Sequence, residues 1–258
     1  MELTIYQVDA FTSRLFGGNP AAIVPLTEWL PDATMQSIAA ENNLAETAYI
    51  VPNGHRYHLR WFTPTLEIDL CGHATLASAH VVFRHLHPDW EDVAFDTRSG
   101  ELKVAREGAL LSMDFPSRPP EAGAVDSRLK RALGGKPELV LSSRDYFVVY
   151  ASEEEVRALE PNMFELGKVD RFVIVTAPGK SCDFVSRFFA PRAGVPEDPV
   201  TGSAHCTLIP YWAARLGKSK LRAWQASARG GELLCEDLGP RVKMSGHAVE
   251  YLRGTIFL

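Results

Sequence analysis

Residues 60–75 of the chain are RWFTPTLEIDLCGHAT, and residues 187–205, RFFAPRAGVPEDPVTGSAH, follow the same plan. Each copy has an Arg-aromatic-Phe-x-Pro element, a loop with two acidic residues, and a glycine that opens a mostly apolar helix. Arg60 and Arg187 lie 127 positions apart, whereas Gly72 and Gly202 lie 130 apart, so the second loop is three residues longer. Matched residue types in matched order indicate an internal duplication.

Both halves of the chain are predicted to combine strands with one buried helix. The stretches CGHATLASAHVVFRHL and GSAHCTLIPYWAARLG are apolar almost all round, which is typical of a helix enclosed by other elements. Short alternating or apolar segments around them, such as LTIYQVDAF and RFVIVTAP, favour strands. The Pro- and Gly-containing stretch SRPPEAGAVDSR, at 117–128, is predicted to be the linker. We therefore expect one domain at 1–116 and a second at 117–251.

Length and composition limit the class of protein. The 258 residues suit two domains, and 46% hydrophobic with 23% charged residues is ordinary for soluble proteins. The net charge of −5, without a basic stripe, argues against nucleic acid as a partner. The start, MELTIYQVDAF, lacks a signal-peptide pattern, and no apolar run approaches the roughly 18 residues of a membrane span. We expect a cytoplasmic protein that has no membrane partner.

The cysteines do not point to disulfides or to a metal site. Without a secretory signal, four free thiols in a reducing compartment are expected. No CxxC pair occurs on which a structural zinc site could be built, and we expect no metal. The four positions are Cys71, Cys182, Cys206 and Cys235.

The duplicated helix starts predict a site for an anion. Free backbone N–H groups and the helix dipole attract negative charge at the N-terminus of a helix. Gly72, Gly202 and Ser203 are small enough to let a ligand approach the backbone closely. Two such helix starts facing each other across a cleft between the halves would suit a small carboxylate-bearing metabolite.

Five segments together resemble the PhzF-like isomerases, which belong to the diaminopimelate-epimerase superfamily. They are FGGNP at 16–20, NNLAETA at 42–48, RWFTP at 60–64 with Glu67, CGHAT at 71–75, and EDPVTGSA at 197–204. The resemblance implies an α+β fold of two pseudo-symmetric domains, each a curved, mixed but largely antiparallel sheet wrapped around a central helix. It also implies that the last strand, at 252–258, returns to the first domain. By analogy we further expect a homodimer and chemistry that needs no cofactor.

The resemblance assigns roles to individual residues. Glu46 is expected to move a proton between carbon positions of the substrate, since a partly buried carboxyl group can both donate and accept. His73 is expected to bind the substrate carboxylate or to polarise developing negative charge. The position of Asp198 before the second helix predicts an N-cap, and the resemblance implies that it orients a substrate amine or hydroxyl; the two roles are compatible. Asn19 is expected to shape the rim of the cleft, while Gly72, Gly202 and Ser203 bind substrate.

Two alternative functions stay open at this level. Diaminopimelate epimerases and proline racemases use one cysteine in each half, and Cys71 matches the first position. Pro199 stands where the second would be, and Cys206 lies inside the helix, so a two-thiol epimerase is disfavoured. The other alternative is a non-catalytic protein that binds a small molecule in the same cleft. The substrate itself cannot be read from these motifs.

Overall fold

The computed structural model describes all residues from 1 to 258 and divides into two compact units. The first unit comprises residues 1–114 and 245–258, and the second comprises residues 115–244. None of the helices has the length and apolar character that a membrane-spanning helix needs.

The first unit is a mixed sheet with two helices. Its helices are α1 (Asp32–Asn42) and α2 (Gly72–Val81), the latter continuing as a π-helical turn over Val82–Leu86. Its strands are β1 (Glu2–Ala10), β2 (Asn19–Pro25), β3 (Glu46–Asn53), β4 (Arg56–Phe62), β5 (Glu67–Ile68), β6 (Asp92–Thr97), β7 (Gly100–Glu107), β8 (Leu110–Pro116) and β17 (Ala248–Phe257).

The second unit is built from the same kinds of element. Its helices are α3 (Leu129–Leu133), α4 (Glu153–Ala158), α5 (Met163–Leu166) and α6 (Gly202–Leu216), with a 3-10 turn at Pro191–Ala193. Its strands are β9 (Leu139–Ser142), β10 (Tyr146–Val149), β11 (Val173–Pro178), β12 (Phe184–Ala190), β13 (Val195–Asp198), β14 (Lys220–Gln225), β15 (Gly231–Asp237) and β16 (Arg241–Gly246).

The strand order is the same in the two units. In the first, β1 pairs antiparallel with β2, β2 parallel with β3, β3 antiparallel with β4, and β4 parallel with β6, which pairs antiparallel with β7. In the second, β9, β10, β11, β12, β14 and β15 follow that pattern of directions. The short strands β5 and β13 occupy equivalent places beside β4 and β12. The duplication indicated by the sequence is therefore present in the topology.

Each unit encloses one of the two apolar helices. Helix α2 contacts β1, β2, β3, β7 and β17, so the first sheet curves around it. Two of its buried hydroxyl groups bond within the helix, since Ser78 donates to the Ala74 carbonyl and Thr75 to the Cys71 carbonyl. In the second unit, the Trp212 indole of α6 stacks on Phe184 of β12 and donates to the Thr176 hydroxyl of β11. These contacts confirm the predicted α+β fold with a central helix in each domain.

An arginine–glutamate pair stands at the same place in both repeats. Arg60 donates two hydrogen bonds to Glu67, of 2.7 and 2.8 Å, and Arg187 donates two to Glu197, of 2.7 and 2.9 Å. Each guanidinium also lies over the Phe two positions later, at 5.1 and 4.9 Å from the ring centroid. Such two-pronged pairs fix geometry, so they anchor the loops that lead into α2 and α6.

The unit boundaries differ from the expected domain limits. The whole of β17 lies in the first unit because it pairs antiparallel with β1 along its length, with a bulge near Tyr251. A boundary after residue 251 would therefore cut this strand. The predicted linker at 117–128 belongs to the second unit and forms no helix or strand beyond one isolated bridge from Glu121 to Ser142.

Candidate active site

Three segments of the first unit bring Asn19, Glu46 and His73 together. Asn19 is the first residue of β2, Glu46 is the first residue of β3, and His73 is the second residue of α2. Strands β2 and β3 are parallel neighbours, and both contact α2. Their starting ends therefore lie beside the N-terminal turn of the central helix.

The imidazole of His73 lies between an acid and an amide. Its Nε2 is 2.9 Å from Glu46 Oε2, and its Nδ1 is 3.1 Å from Asn19 Nδ2. The Cys71 Sγ lies 3.5 Å from the same Nδ1. His73 and Asn19 are almost fully buried, and the Glu46 side chain is only 13% exposed. The group is thus a carboxylate, an imidazole, a thiol and an amide held together and largely withdrawn from water.

The close contact between Glu46 and His73 is not an aligned hydrogen bond. Neither Glu46 Oε2 nor His73 Nε2 has a hydrogen-bond partner of acceptable geometry, although both atoms are buried. Unsatisfied buried polar atoms are costly and uncommon in folded proteins. At 2.9 Å the two groups attract each other as an ion pair when the imidazole is protonated, while neither atom is bonded to another protein group.

The charges in the cluster favour a protonated imidazole and a neutral thiol. Burial alone would lower the pKa of His73, but its electrostatic contacts with Cys71 and Glu46 outweigh burial and hold that pKa well above its ordinary value. Burial raises the pKa of Cys71 to about 11, and the Glu46 carboxylate adds to the effect. Near neutral pH, Cys71 is therefore a thiol rather than a nucleophilic thiolate.

Asn19 holds the second nitrogen of the His73 ring rather than forming a rim. Its amide offers a donor and an acceptor on one rotatable group, so it can match Nδ1 with or without a proton. The preceding Gly18 has a φ of +61°, and an added Cβ there would lie 2.0 Å from the Ala10 carbonyl oxygen. Only glycine fits this turn, which sets where β2 and its first residue begin.

The same cluster is the one group in the structure with the donor atoms for a metal ion. Glu46, Cys71 and His73 each offer one ligand atom, all within 4.8 Å of one another. Cys71 approaches Nδ1 of the imidazole and Glu46 approaches Nε2. The same three side-chain types can also exchange protons.

The predicted residues of the second unit gather at the start of α6. The helix begins at Gly202 with Thr201 as its N-cap, and no side chain caps it. Asp198 therefore does not cap the helix, and that expectation is wrong. Its Oδ2 instead accepts a hydrogen bond of 2.5 Å from the Thr201 hydroxyl, which draws the carboxylate toward the turn before the helix. Ser203 accepts a bond of 2.9 Å from Arg144.

Helix α2 also begins without a side-chain cap. Its N-cap is Cys71, and Gly72 is the first helical residue. Side chains four positions after each N-cap bond back to the N-cap carbonyl, Thr75 to Cys71 and His205 to Thr201. In each helix the N-cap carbonyl accepts a side-chain hydrogen bond, while no side chain caps the N–H groups of the first turn. An anion-binding helix start requires such uncapped N–H groups.

Three residues near these helix starts had no signal in the sequence. They are Thr201, Arg144 and the fully buried Gln225, which bonds to the turn at 198–201. Thr201 lies in the segment EDPVTGSA, in which Asp198, Gly202 and Ser203 were the expected functional residues. Gln225 and Arg144 are distant along the chain, and only the fold brings them to α6.

The family described as phenazine biosynthesis-like protein (PhzC-PhzF) matches residues 8–254. The chain belongs to this PhzF family. An uncharacterized isomerase of Pseudomonas aeruginosa is 53% identical, with both chains covered in full. The crystal structure of a PhzF family protein from Enterococcus faecalis has a TM-score of 0.97 at 46% identity, again with both chains covered in full.

A solved structure of much lower sequence identity has a similar fold. A hydroxyproline epimerase from Agrobacterium vitis has a TM-score of 0.65 at 9% identity, with 99% of this chain and 91% of that chain covered. At such identity the likeness concerns the fold alone. It agrees with the two pseudo-symmetric domains described above.

Proposed function

We propose that the protein is an isomerase that moves a proton between two carbon atoms of a small carboxylate metabolite, and so shifts a double bond, without a cofactor. The observation that carries this proposal is the buried pair of Glu46 Oε2 and His73 Nε2, which lie 2.9 Å apart without an aligned hydrogen bond. Membership of the PhzF family supports an isomerase-type function.

In the proposed reaction Glu46 is the general acid and base. Its carboxylate takes a proton from one carbon, and the electron pair of the broken C–H bond enters the conjugated system next to the substrate carboxylate. The same carboxyl group returns a proton to a second carbon, which regenerates Glu46 and leaves an isomer of the substrate. The Glu46 side chain is only 13% exposed, so little water competes with a substrate for the carboxylate.

His73 stabilises the negative charge that develops between the two proton transfers. Its raised pKa keeps the imidazole positively charged near neutral pH, beside the position where the carbanion-like charge would form. Asn19 would hold the charged ring through Nδ1 with its amide rotated, so that its oxygen rather than Nδ2 accepts from the ring N–H. In this proposal a change in the charge of Glu46 directly alters the pKa of His73.

The second unit would orient the substrate. Asp198 is assigned to a substrate amine or hydroxyl, since its carboxylate is an acceptor fixed by the Thr201 hydroxyl. In the second unit, the uncapped N–H groups at Gly202, with Ser203, are proposed as binding groups for a carboxylate, and in the first unit those at Gly72 are proposed for the same chemistry.

A thiol mechanism is less well supported. Racemisation with two thiols needs an acid and a base on opposite faces of one carbon. Pro199 cannot transfer a proton, and Cys206 is buried within α6 with its Sγ directed at the Gly202 carbonyl. The raised pKa of Cys71, about 11, further opposes its use as a base.

The substrate class is tested by proton exchange in D2O. The protein would be incubated with a panel of cyclic and amino-substituted carboxylic acids, including dihydro-hydroxyanthranilate, and carbon-bound deuterium followed by NMR. We expect exchange at one C–H position with the wild type and with Glu41→Gln, an exposed control on α1, and none with Glu46→Gln. Ligand binding without exchange for every compound that binds would contradict the isomerase and support a binding protein.

A further inference from the structure

Gln225 is a buried amide that holds the turn carrying Asp198. It is the last residue of β14 and has no exposed surface. Its Oε1 accepts a bond of 2.8 Å from the Thr201 N–H, and its Nε2 donates to the Asp198 carbonyl at 2.8 Å and to Thr201 Oγ1 at 3.1 Å. Every donor of the amide is used, and all three partners lie between residues 198 and 201.

These contacts fix the direction of the hydrogen bonds as far as the Asp198 carboxylate. The Thr201 N–H requires an acceptor and the Asp198 carbonyl requires a donor, so the Gln225 amide has one possible orientation. Its Nε2 therefore donates to Thr201 Oγ1, and the Thr201 hydroxyl proton is directed at Asp198 Oδ2, 2.5 Å away. A chain of donors then runs from Gln225 through Thr201 to Asp198, each bond polarising the next.

The equivalent turn of the first unit shows that holding the loop does not require this glutamine. Ser227 Oγ donates to the Pro199 carbonyl at 2.8 Å, and Ser99 Oγ donates to the Asp69 carbonyl at 2.8 Å. Both carbonyls lie three positions before the glycine that opens the central helix. The serine contact is thus shared by the two repeats.

The glutamine contact belongs to the second unit alone. Two positions before Ser99, Thr97 bonds to Gly100 and not to the turn before α2. Two positions before Ser227, Gln225 bonds to the turn that carries Asp198. The additional contact is therefore found in the turn that carries Asp198.

We propose that Gln225 is a positioning residue that acts through Thr201 to set the orientation of the Asp198 carboxylate for catalysis. This inference rests on the proposed function, because it takes Asp198 as the group that orients the substrate. Misplacement of an orienting group costs turnover more than binding, and a displacement of about 1 Å can cost about 100-fold. We expect Gln225→Met to lower kcat by about 10- to 100-fold, with KM changed by less than about threefold.

A set of variants separates positioning from a loss of fold. Thr201→Val removes the relaying hydroxyl and should lower kcat to a similar extent, whereas Thr201→Ser keeps the hydroxyl and should restore it to within about threefold. The double variant of Gln225→Met and Thr201→Val should lose little beyond the larger single effect, because both act on one chain. Thr176→Val removes another buried hydrogen bond of the second unit, that from Trp212, and should leave kcat unchanged.

A second readout does not depend on the reaction. Hydrogen–deuterium exchange of the full-length protein, read on a peptide covering 199–205, should be faster in Gln225→Met because the Thr201 amide loses its acceptor. It should be unchanged in Thr176→Val. If the wild type turns over no panel compound, the proposed function fails, while this exchange still shows whether Gln225 holds the turn.

Two results would overturn the proposal. One is an unchanged exchange rate at 199–205 in Gln225→Met, which would show that the turn keeps its place without the amide. The other is faster exchange with kcat, KM and their pH profile as in the wild type, which would give Gln225 a structural role only. Slower turnover confined to Gln225→Met and Thr201→Val, together with faster exchange in Gln225→Met, supports it.

Discussion

Replacing Glu46 by Gln should lower the pKa of His73, because the carboxylate is the charge nearest the imidazole. Glu46 Oε2 and His73 Nε2 lie 2.9 Å apart. At an effective dielectric constant of about 20, opposite unit charges at that distance attract by roughly 6 kcal/mol, which is a ceiling before relaxation. Opposite charges this close shift a pKa by about 1–3 units in practice, or roughly 1.4–4 kcal/mol. We therefore expect the pKa of His73 to fall by about 1–3 units in Glu46→Gln.

The assay is an NMR pH titration of the His73 ring carbon in uniformly labelled protein. In the wild type the imidazolium should persist well above pH 6.5, the ordinary value for histidine. Glu41→Gln is the control, because Glu41 is an exposed carboxylate on α1. It should move the His73 midpoint by less than about 0.5 unit. An ordinary midpoint in the wild type, or one that Glu46→Gln leaves in place, would refute the coupling between Glu46 and His73.

Further expectations concern the thiol, a buried histidine and a repeated ion pair. Cys71→Ala should keep the proton-exchange rate within about threefold, whereas a thiol mechanism predicts its loss. Burial lowers the pKa of His205 to about 4, so the unfolded chain takes up the proton first as pH falls, and stability is lost between about pH 6.5 and 4. Between these pH values, the free energy of unfolding measured with urea should fall by about 3 kcal/mol more in the wild type than in His205→Asn. Arg187→Met leaves the Glu197 carboxylate unpaired and half-buried, and should lower the free energy of unfolding by about 2–4 kcal/mol; a loss below about 0.5 kcal/mol would contradict an anchoring role.

Much of the fold could be predicted from the repeated segments. The strand, loop and apolar-helix pattern predicts both central helices, and α6 begins at Gly202 and ends before Gly217, which adopts a left-handed φ of 67°. Such features are local, because a glycine start, an apolar face and a glycine stop are all encoded within one element. The end of α2 was less predictable, since the π-helical turn at Val82–Leu86 breaks a pattern that reads as one continuous helix.

The candidate site could be predicted in its residues but not in its contacts. The motif resemblance gives Glu46 and His73, whereas their 2.9 Å separation results from β3 starting beside α2. Asn19 was expected at a rim and is instead bonded to the imidazole, because Gly18 turns the chain inward. The contacts of Gln225 with Asp198 span 27 positions of sequence, and no local pattern encodes them.

The acidic residues of the two loops show a further limit of pattern reading. Glu67 and Glu197 belong to matched loops and look like candidates for chemistry. The structure pairs both with arginine, and so gives them an anchoring role. Charge type and spacing alone do not distinguish a carboxylate that is neutralised by a guanidinium from one that is left beside a histidine. That distinction depends on which strand each residue joins.

The most direct test of the central claim is the rate constant for exchange of one carbon-bound substrate hydrogen in D2O, compared between the wild type and Glu46→Gln. The variant should first show a folded spectrum in which the His73 resonance is present. A positioned general base contributes about 100- to 10,000-fold, so the exchange rate should fall by at least about 100-fold in Glu46→Gln. Exchange in Glu46→Gln within about threefold of the wild type would show that another group moves the proton, and would contradict the assignment of Glu46.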